Sequence, residues 1–125
     1  MTVLDTNILI EILKNNQQTI EQVGLLESHL QVSVISAMEL LYGARNKQEL
    51  LKLRQFLELF EVLHIDSEIS KKALKLIQEY SKSHTLDIPD GLIAATCIQH
   101  KLSFFTYSFK DFRFIPELDL LQPNW

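Results

Sequence analysis

Short β-branched runs alternate along this chain with longer stretches whose apolar residues recur every three or four positions, and few folds accommodate that alternation. "TVLD" reads as a buried strand, and Thr6 or Asp5 caps a helix with Ile8, Leu9, Ile12 and Leu13 on one face. "NNQQT" breaks that helix, and a second short one carries Ile20, Val23, Leu26 and Leu30. "QVSVIS" is a strand, after which Ser36 caps "AMELLYGAR" with Glu39 at capping-box spacing. Leu50, Leu53, Leu57 and Phe60 predict an amphipathic helix over residues 47–60. "FEVLHID" is a strand, and Asp66 or Ser67 starts a helix with Ile69, Ala73, Leu76, Ile77 and Tyr80 inward. Pro89 suits the first turn of "DGLIAATCIQHK", which is apolar almost all round and therefore central and buried. "LSFFT" is a strand and "DLLQ" a short last one. Strands alternating with helices imply an α/β fold, with a mainly parallel sheet of about four to five short strands flanked by helices.

A chain of 125 residues builds one core without disulfides or a structural metal, so residues 1–125 are expected to form one domain. The single Cys97 makes no intrachain disulfide, and nothing suggests an oxidising compartment. No basic segment precedes the first apolar stretch, and Asp5, Asn7 and Glu11 interrupt it, so it is neither a signal peptide nor a membrane span. A cytoplasmic protein is expected. The net charge of −4 argues against gripping nucleic acid by protein charge alone, although bound cations can carry the positive charge instead.

Within this pattern Asp5 is out of place. It stands among Val3, Leu4, Ile8 and Leu9, and a buried carboxylate costs several kcal/mol in rough terms unless something pairs with it. Parallel α/β sheets place their sites beyond the carboxyl ends of the strands. Asp5 ends the first strand, Glu39 lies in the first turn or two of the helix after the second, Asp90 opens the buried helix, and Asp111 follows "SFFT". Each acid has an ordinary reading: a cap for Asp5, a capping box for Glu39, first-turn bias for Asp90, a turn for Asp111. Their convergence on one edge outweighs these. Two carboxylates 4 Å apart repel by about 4 kcal/mol at an effective dielectric of 20, so the cluster makes sense with a hard cation, and oxygen-only ligands suit Mg²⁺ or Mn²⁺.

"LDTNILIEIL", "VSVISAMELLYGAR", "IPDGLIAAT" and "TYSFKDF" stand in the order and spacing of a PIN-domain ribonuclease, and more narrowly resemble a VapC-type toxin of a bacterial toxin–antitoxin pair. The resemblance runs from Met1 to the closing "PNW". It implies a metal-dependent endoribonuclease that leaves a 5′-phosphate and a 3′-hydroxyl. It also implies catalytic acids at Asp5, Glu39 and Asp90, with Thr6 and Asn7 orienting the first. Asp5 and Asp90 would anchor the metal, with Glu39 and Asp111 holding a second ion or the attacking water. The implied partners are RNA, a cognate antitoxin and a second copy of the chain. The departure is at the fourth acid. Relatives read Thr-x-Asn or Thr-x-Asp where this chain has Thr106, Tyr107 and Ser108, so Asp111 is expected to supply the charge, with Thr106 and Ser108 in support.

Other polar residues are read as structural. Asp87 is a loop turn or solvated charge, and His29, His64, His84 and His100 lack metal-ligand spacing. Cys97 belongs to the core, while Tyr42 and Gly43 serve packing and C-capping. Lys71, Lys72 and Lys75 form a solvated face; they, Arg45, Arg54 and Lys110 are alternative RNA contacts among which the sequence does not choose. Two other functions fit less well. A PIN domain kept only for protein binding is compatible with Ser108. A phosphoacceptor signalling domain needs an acidic pair at the first strand and a mid-chain strand-end Asp, for which only Asp66 is available.

Overall fold

A computed structural model describes residues 1–26 and 29–121. The strands are β1 (Thr2–Leu4), β2 (Leu30–Ser33), β3 (Glu61–Leu63), β4 (Ser103–Phe105) and β5 (Leu120–Leu121). The helices are α1 (Thr6–Leu13), α2 (Gln17–Gly24), α3 (Val34–Tyr42), α4 (Lys47–Leu57), α5 (Ser67–Tyr80) and α6 (Ile88–His100), with a 3₁₀ turn at Phe109–Asp111. The five strands form one sheet in the order β3-β2-β1-β4-β5, every pairing parallel. The closing "PNW" and the Gln of "DLLQ" lie outside the described residues.

The period of two sorts strand residues between two cores. Val3, Leu63 and Phe104 face one side, where Ile69, Ala73 and Leu76 of α5 and Ile93, Ala94 and Cys97 of α6 cover them. Leu4, Val32 and Phe105 face the other, under Ile8 and Leu9 of α1, Val23 of α2, Leu40 of α3 and Leu57 of α4. Helix α6 is buried along most of its length, as its apolar circumference requires. It packs so closely on α5 that a Cβ at Gly91 would come within 2.9 Å of Ile77 Cδ1.

Several boundaries differ from the sequence expectation. Leu30 belongs to β2 rather than to the second helix, because it pairs with Thr2 of β1. The second strand ends at Ser33, whose hydroxyl accepts the Ile35 N–H and caps α3. Ser36 is therefore a buried residue inside that helix, not its cap, and Glu39 is no capping-box partner. Helix α4 stops at Leu57, so Phe60 lies beyond it, and Leu50 remains exposed. Tyr42 is 94% exposed and packs against nothing, while Gly43 caps α3 at φ −77°, a conformation any residue adopts.

Candidate active site

The order of the strands creates the site. From β1 the chain moves outward to β2 and β3, then returns across the sheet to β4 on β1's other side. Connections leave β1 and β4 in opposite directions, and at such a switch point the strands' carboxyl ends border a crevice. The first residues past those two ends are Asp5 and Thr106. The Asp5 N–H donates to the Phe105 carbonyl at 2.9 Å, which holds the two strand ends side by side.

Asp5 is only 6% exposed. One carboxylate oxygen, Oδ1, accepts the Thr6 N–H at 2.8 Å, so Asp5 does cap α1. The other, Oδ2, accepts the Thr106 hydroxyl at 2.7 Å. A carboxylate offers about four lone-pair positions, so two remain after these bonds. Burial pushes the Asp5 carboxyl above the ordinary range; the Thr106 and Thr6 hydrogen bonds pull it back, and Glu39 and Asp111 push it further up.

Two polar chains of hydrogen bonds tie this carboxylate to its surroundings. Thr6 Oγ1 lies 2.8 Å from Glu39 Oε1 and 2.8 Å from Ser36 Oγ. A hydroxyl has one proton and a carboxylate only accepts, so the Thr6 hydroxyl is the donor to Glu39, with Ser36 Oγ sharing that proton. Ser36, expected from the sequence to be a cap, thus helps hold Glu39; it sits one helical turn before Glu39, on the same face, and that spacing is the signal for it. On the other side Asn7 Nδ2 donates to Ser108 Oγ at 2.9 Å, Asn7 Oδ1 accepts the Tyr107 N–H at 3.3 Å, and the Ser108 N–H donates to Thr106 Oγ1 at 2.9 Å. The hydroxyl of Tyr107 in turn hydrogen-bonds Thr19 of α2.

Asp90 occupies the third position of α6 and is half-buried. The cap of that helix is Asp87, whose carboxylate accepts the Asp90 N–H at 2.9 Å. Asp87 is therefore a helix cap rather than a loop charge, and the Asp-x-x-Asp spacing before an apolar run is its signature. Burial, then Asp87, Asp5, Asp111 and Glu39 in that order, push the Asp90 carboxyl up to about 7. Glu39 and Asp111 are exposed at the rim. Asp5 thus feels the charges of Glu39 and Asp111, and Asp90 those of all three other acids expected from the sequence.

The donor set is oxygen only, and the two least exposed of the four acids carry charge at a cost that a hard divalent cation would remove, so the residues fit such an ion. As the side chains stand, however, no three His, Cys, Asp or Glu among the described residues are grouped to hold one. The histidines of the chain are exposed, and His29 contacts Glu61 at 2.9 Å, away from this site. Asp66 caps α5 through the Ile69 N–H, which accounts for the mid-chain acid a phosphoacceptor would have needed.

The PIN domain family profile matches residues 2–115. The chain is 30% identical over 118 residues to Ribonuclease VapC1 of Methanocaldococcus jannaschii, a match covering 94% of this chain and 82% of that one. Among solved structures it resembles a chain of a toxin–antitoxin complex from Klebsiella pneumoniae, with 28% identity, a TM-score of 0.84 and 98% of each chain covered. A similar likeness holds to a chain of VapBC2 from Rickettsia felis bound to a fragment of promoter DNA, at 26% identity and a TM-score of 0.83, covering 97% of each chain.

Proposed function

We propose that this chain, which belongs to the PIN-domain family, is a divalent-metal-dependent endoribonuclease and the toxin of a toxin–antitoxin pair. The observation that carries the reading is the buried Asp5 at the sheet's switch point, with Asp90, Glu39 and Asp111 all within electrostatic reach. The relative named as a ribonuclease and the structural neighbours solved as toxin–antitoxin complexes support the activity and the partner.

Asp5 and Asp90 would hold Mg²⁺ or Mn²⁺, which when bound supplies positive charge to the phosphodiester oxygens and acidifies water. Thr106 orients the Asp5 carboxylate and Thr6 that of Glu39, each by a direct hydrogen bond. Glu39 Oε1 is engaged by Thr6, which leaves Oε2 to accept a proton from the attacking water; the exposed Asp111 would help to orient it. In-line attack on phosphorus breaks the bond to the 3′ oxygen, giving a 5′-phosphate and a 3′-hydroxyl. Incubating purified protein with RNA, in Mn²⁺ and in chelator, and identifying the new ends tests this directly. Intact RNA in both conditions would favour a PIN domain that only binds protein.

Ser108 fills the position of the missing fourth acid or amide as one link in the Asn7–Thr106 network. Ser108→Ala is expected to slow cleavage less than Asp111→Asn. Loss of a neutral hydrogen bond costs roughly 0.5–1.5 kcal/mol, whereas Asp111 contributes charge to the site. Single-turnover rates in the reverse order would relocate the fourth position to Ser108.

The fold leaves apolar side chains uncovered on the side of α1, α2 and α4: Leu13 is 40% exposed, Leu25 72%, Leu51 52% and Leu59 74%. Ile12, Ile20, Val23, Phe56 and Phe60 line a cavity of about 250 Å³ between them. Exposed apolar side chains beside an apolar cavity suit protein contacts, and we read them as sites for a second copy and for the antitoxin. Light scattering at micromolar concentration is expected to give twice the monomer mass; a monomer there would count against the dimer.

A further inference from the structure

Nucleases act on a polyanion, yet this site gathers four carboxylates on a chain of net charge −4. A strand of RNA reaching it meets repulsion that cations close to the reacting phosphate must offset. The largest cavity at the site adjoins Asp111. It measures about 500 Å³ and is lined by Tyr107, Ser108, Phe109, Lys110, Asp111 and Arg113. It follows β4 directly and shares Asp111 with the acid cluster and Ser108 with the hydrogen-bond network around Asp5.

Two features mark this cavity. Lys110 and Arg113 are exposed and make no ion pair among the described residues, as is also true of Lys75 in the other basic cavity, whereas Lys71 and Lys72 there are each engaged by a glutamate. Phe109 is half-buried but belongs to neither core, so its ring is not committed to holding the fold together. Unpaired cations interleaved with an aromatic ring are what single-stranded nucleic acid requires: charge for the phosphates and a face for a base. The other basic cavity, about 320 Å³ between Lys71, Lys72, Lys75 and Gln99, lies nine residues along α6 from Asp90, roughly 13.5 Å at 1.5 Å per residue.

We propose that the cavity after β4 is the RNA-strand subsite, in which Lys110 and Arg113 each neutralise a backbone phosphate flanking the cleaved one and Phe109 stacks on a neighbouring base. The inference rests on the nuclease reading and adds to it where the strand lies and what holds it.

Binding of a fluorescein-labelled single-stranded RNA in chelator, followed by anisotropy across a salt series, tests it. Each neutralised phosphate contributes about 0.7 to the slope of log K against log salt on single strands. Removing both cations in Lys110→Ala/Arg113→Ala should therefore make the slope shallower by about 1.4. Phe109→Leu should weaken binding without changing the slope. Lys71→Ala/Lys75→Ala, which removes the same charge elsewhere, should change neither. In Mn²⁺ the Lys110/Arg113 variant should show a raised KM with kcat preserved, since it loses binding shared by ground and transition states. Wild-type protein that binds RNA while the double variant binds with the same affinity and slope overturns this inference alone, and an equal loss in the Lys71/Lys75 variant does so too. A Phe109→Leu protein of wild-type affinity removes the stacking contact. Wild-type protein that neither binds nor cuts RNA overturns the nuclease reading and this inference with it.

Discussion

Asp5→Asn and Asp90→Asn are each expected to lower RNA cleavage by on the order of a thousandfold or more, with circular dichroism and the mass in solution unchanged. A cation at a phosphodiester supplies several kcal/mol of charge stabilisation, and each 1.36 kcal/mol is about a factor of ten in rate. Both substitutions spare the fold for reasons visible in the site. An asparagine at 5 keeps Oδ1 for the Thr6 N–H, and its amide can donate to Thr106 Oγ1 where the carboxylate accepted from it. The Asp90 backbone N–H, which completes the α6 cap, is untouched by a change of side chain. Substantial cleavage by purified Asp90→Asn would remove Asp90 from the metal site.

The second large effect is on stability. Bringing Asp5, Asp90, Glu39 and Asp111 together costs free energy whenever no cation offsets it, and burial of Asp5 adds to that cost. Mg²⁺ or Mn²⁺ at a hundredfold excess over its dissociation constant should add about 2.7 kcal/mol, which for a chain of this length raises the melting temperature by on the order of 10 °C. In chelator, Asp5→Asn should melt above the wild type, because Asn caps about as well as Asp and carries no charge to bury. If Asp5 were a cap alone, the two proteins would melt together and neither would respond to metal. The pH dependence carries a matching signature. Asp90 titrates near 3.8 when unfolded and near 7 when folded, so between those values the folded state binds more protons. Stability in chelator is therefore expected to fall as pH rises from about 4 to 7 and to level off above, with the fall reduced in Asp90→Asn. A wild-type profile parallel to that of Asp90→Asn across this window would show that Asp90 is not held in the cluster's field.

The two-fold and three-to-four-fold periods of the apolar residues determined the elements and, through their alternation, a parallel sheet. Val3 against Leu4 and Phe104 against Phe105 divide between opposite cores because successive strand side chains point to opposite faces. Those patterns are local, and so they are readable in one dimension. The acids were legible for a related reason: Asp5 is anomalous among its neighbours, and the parallel architecture predicts where strand ends gather. What local pattern does not carry is competition between near-equivalent residues. Ser33 and Ser36 are both plausible caps, and only the end of the β2–β3 pairing at Ser33 decides which one caps. Asp87 and Asp90 are both acids at a helix start, and Asp87, expected to be a turn or a solvated charge, is the one that caps it. The hydrogen bonds that shape the site span the chain: Thr106 to Asp5 and Asn7 to Ser108 each cross 101 residues, and Thr6 to Glu39 crosses 33. Such partners are chosen by the strand order β2-β1-β4, which brings the ends of the first and fourth strands side by side. The same order places the turn that carries Asp111, with its chain neighbours Lys110 and Arg113, directly after β4. Local pattern is therefore enough to read the residue types at the strand ends and the division of the cores, whereas which of those residues touch follows from register and strand order, and these are set by packing summed over the whole sheet.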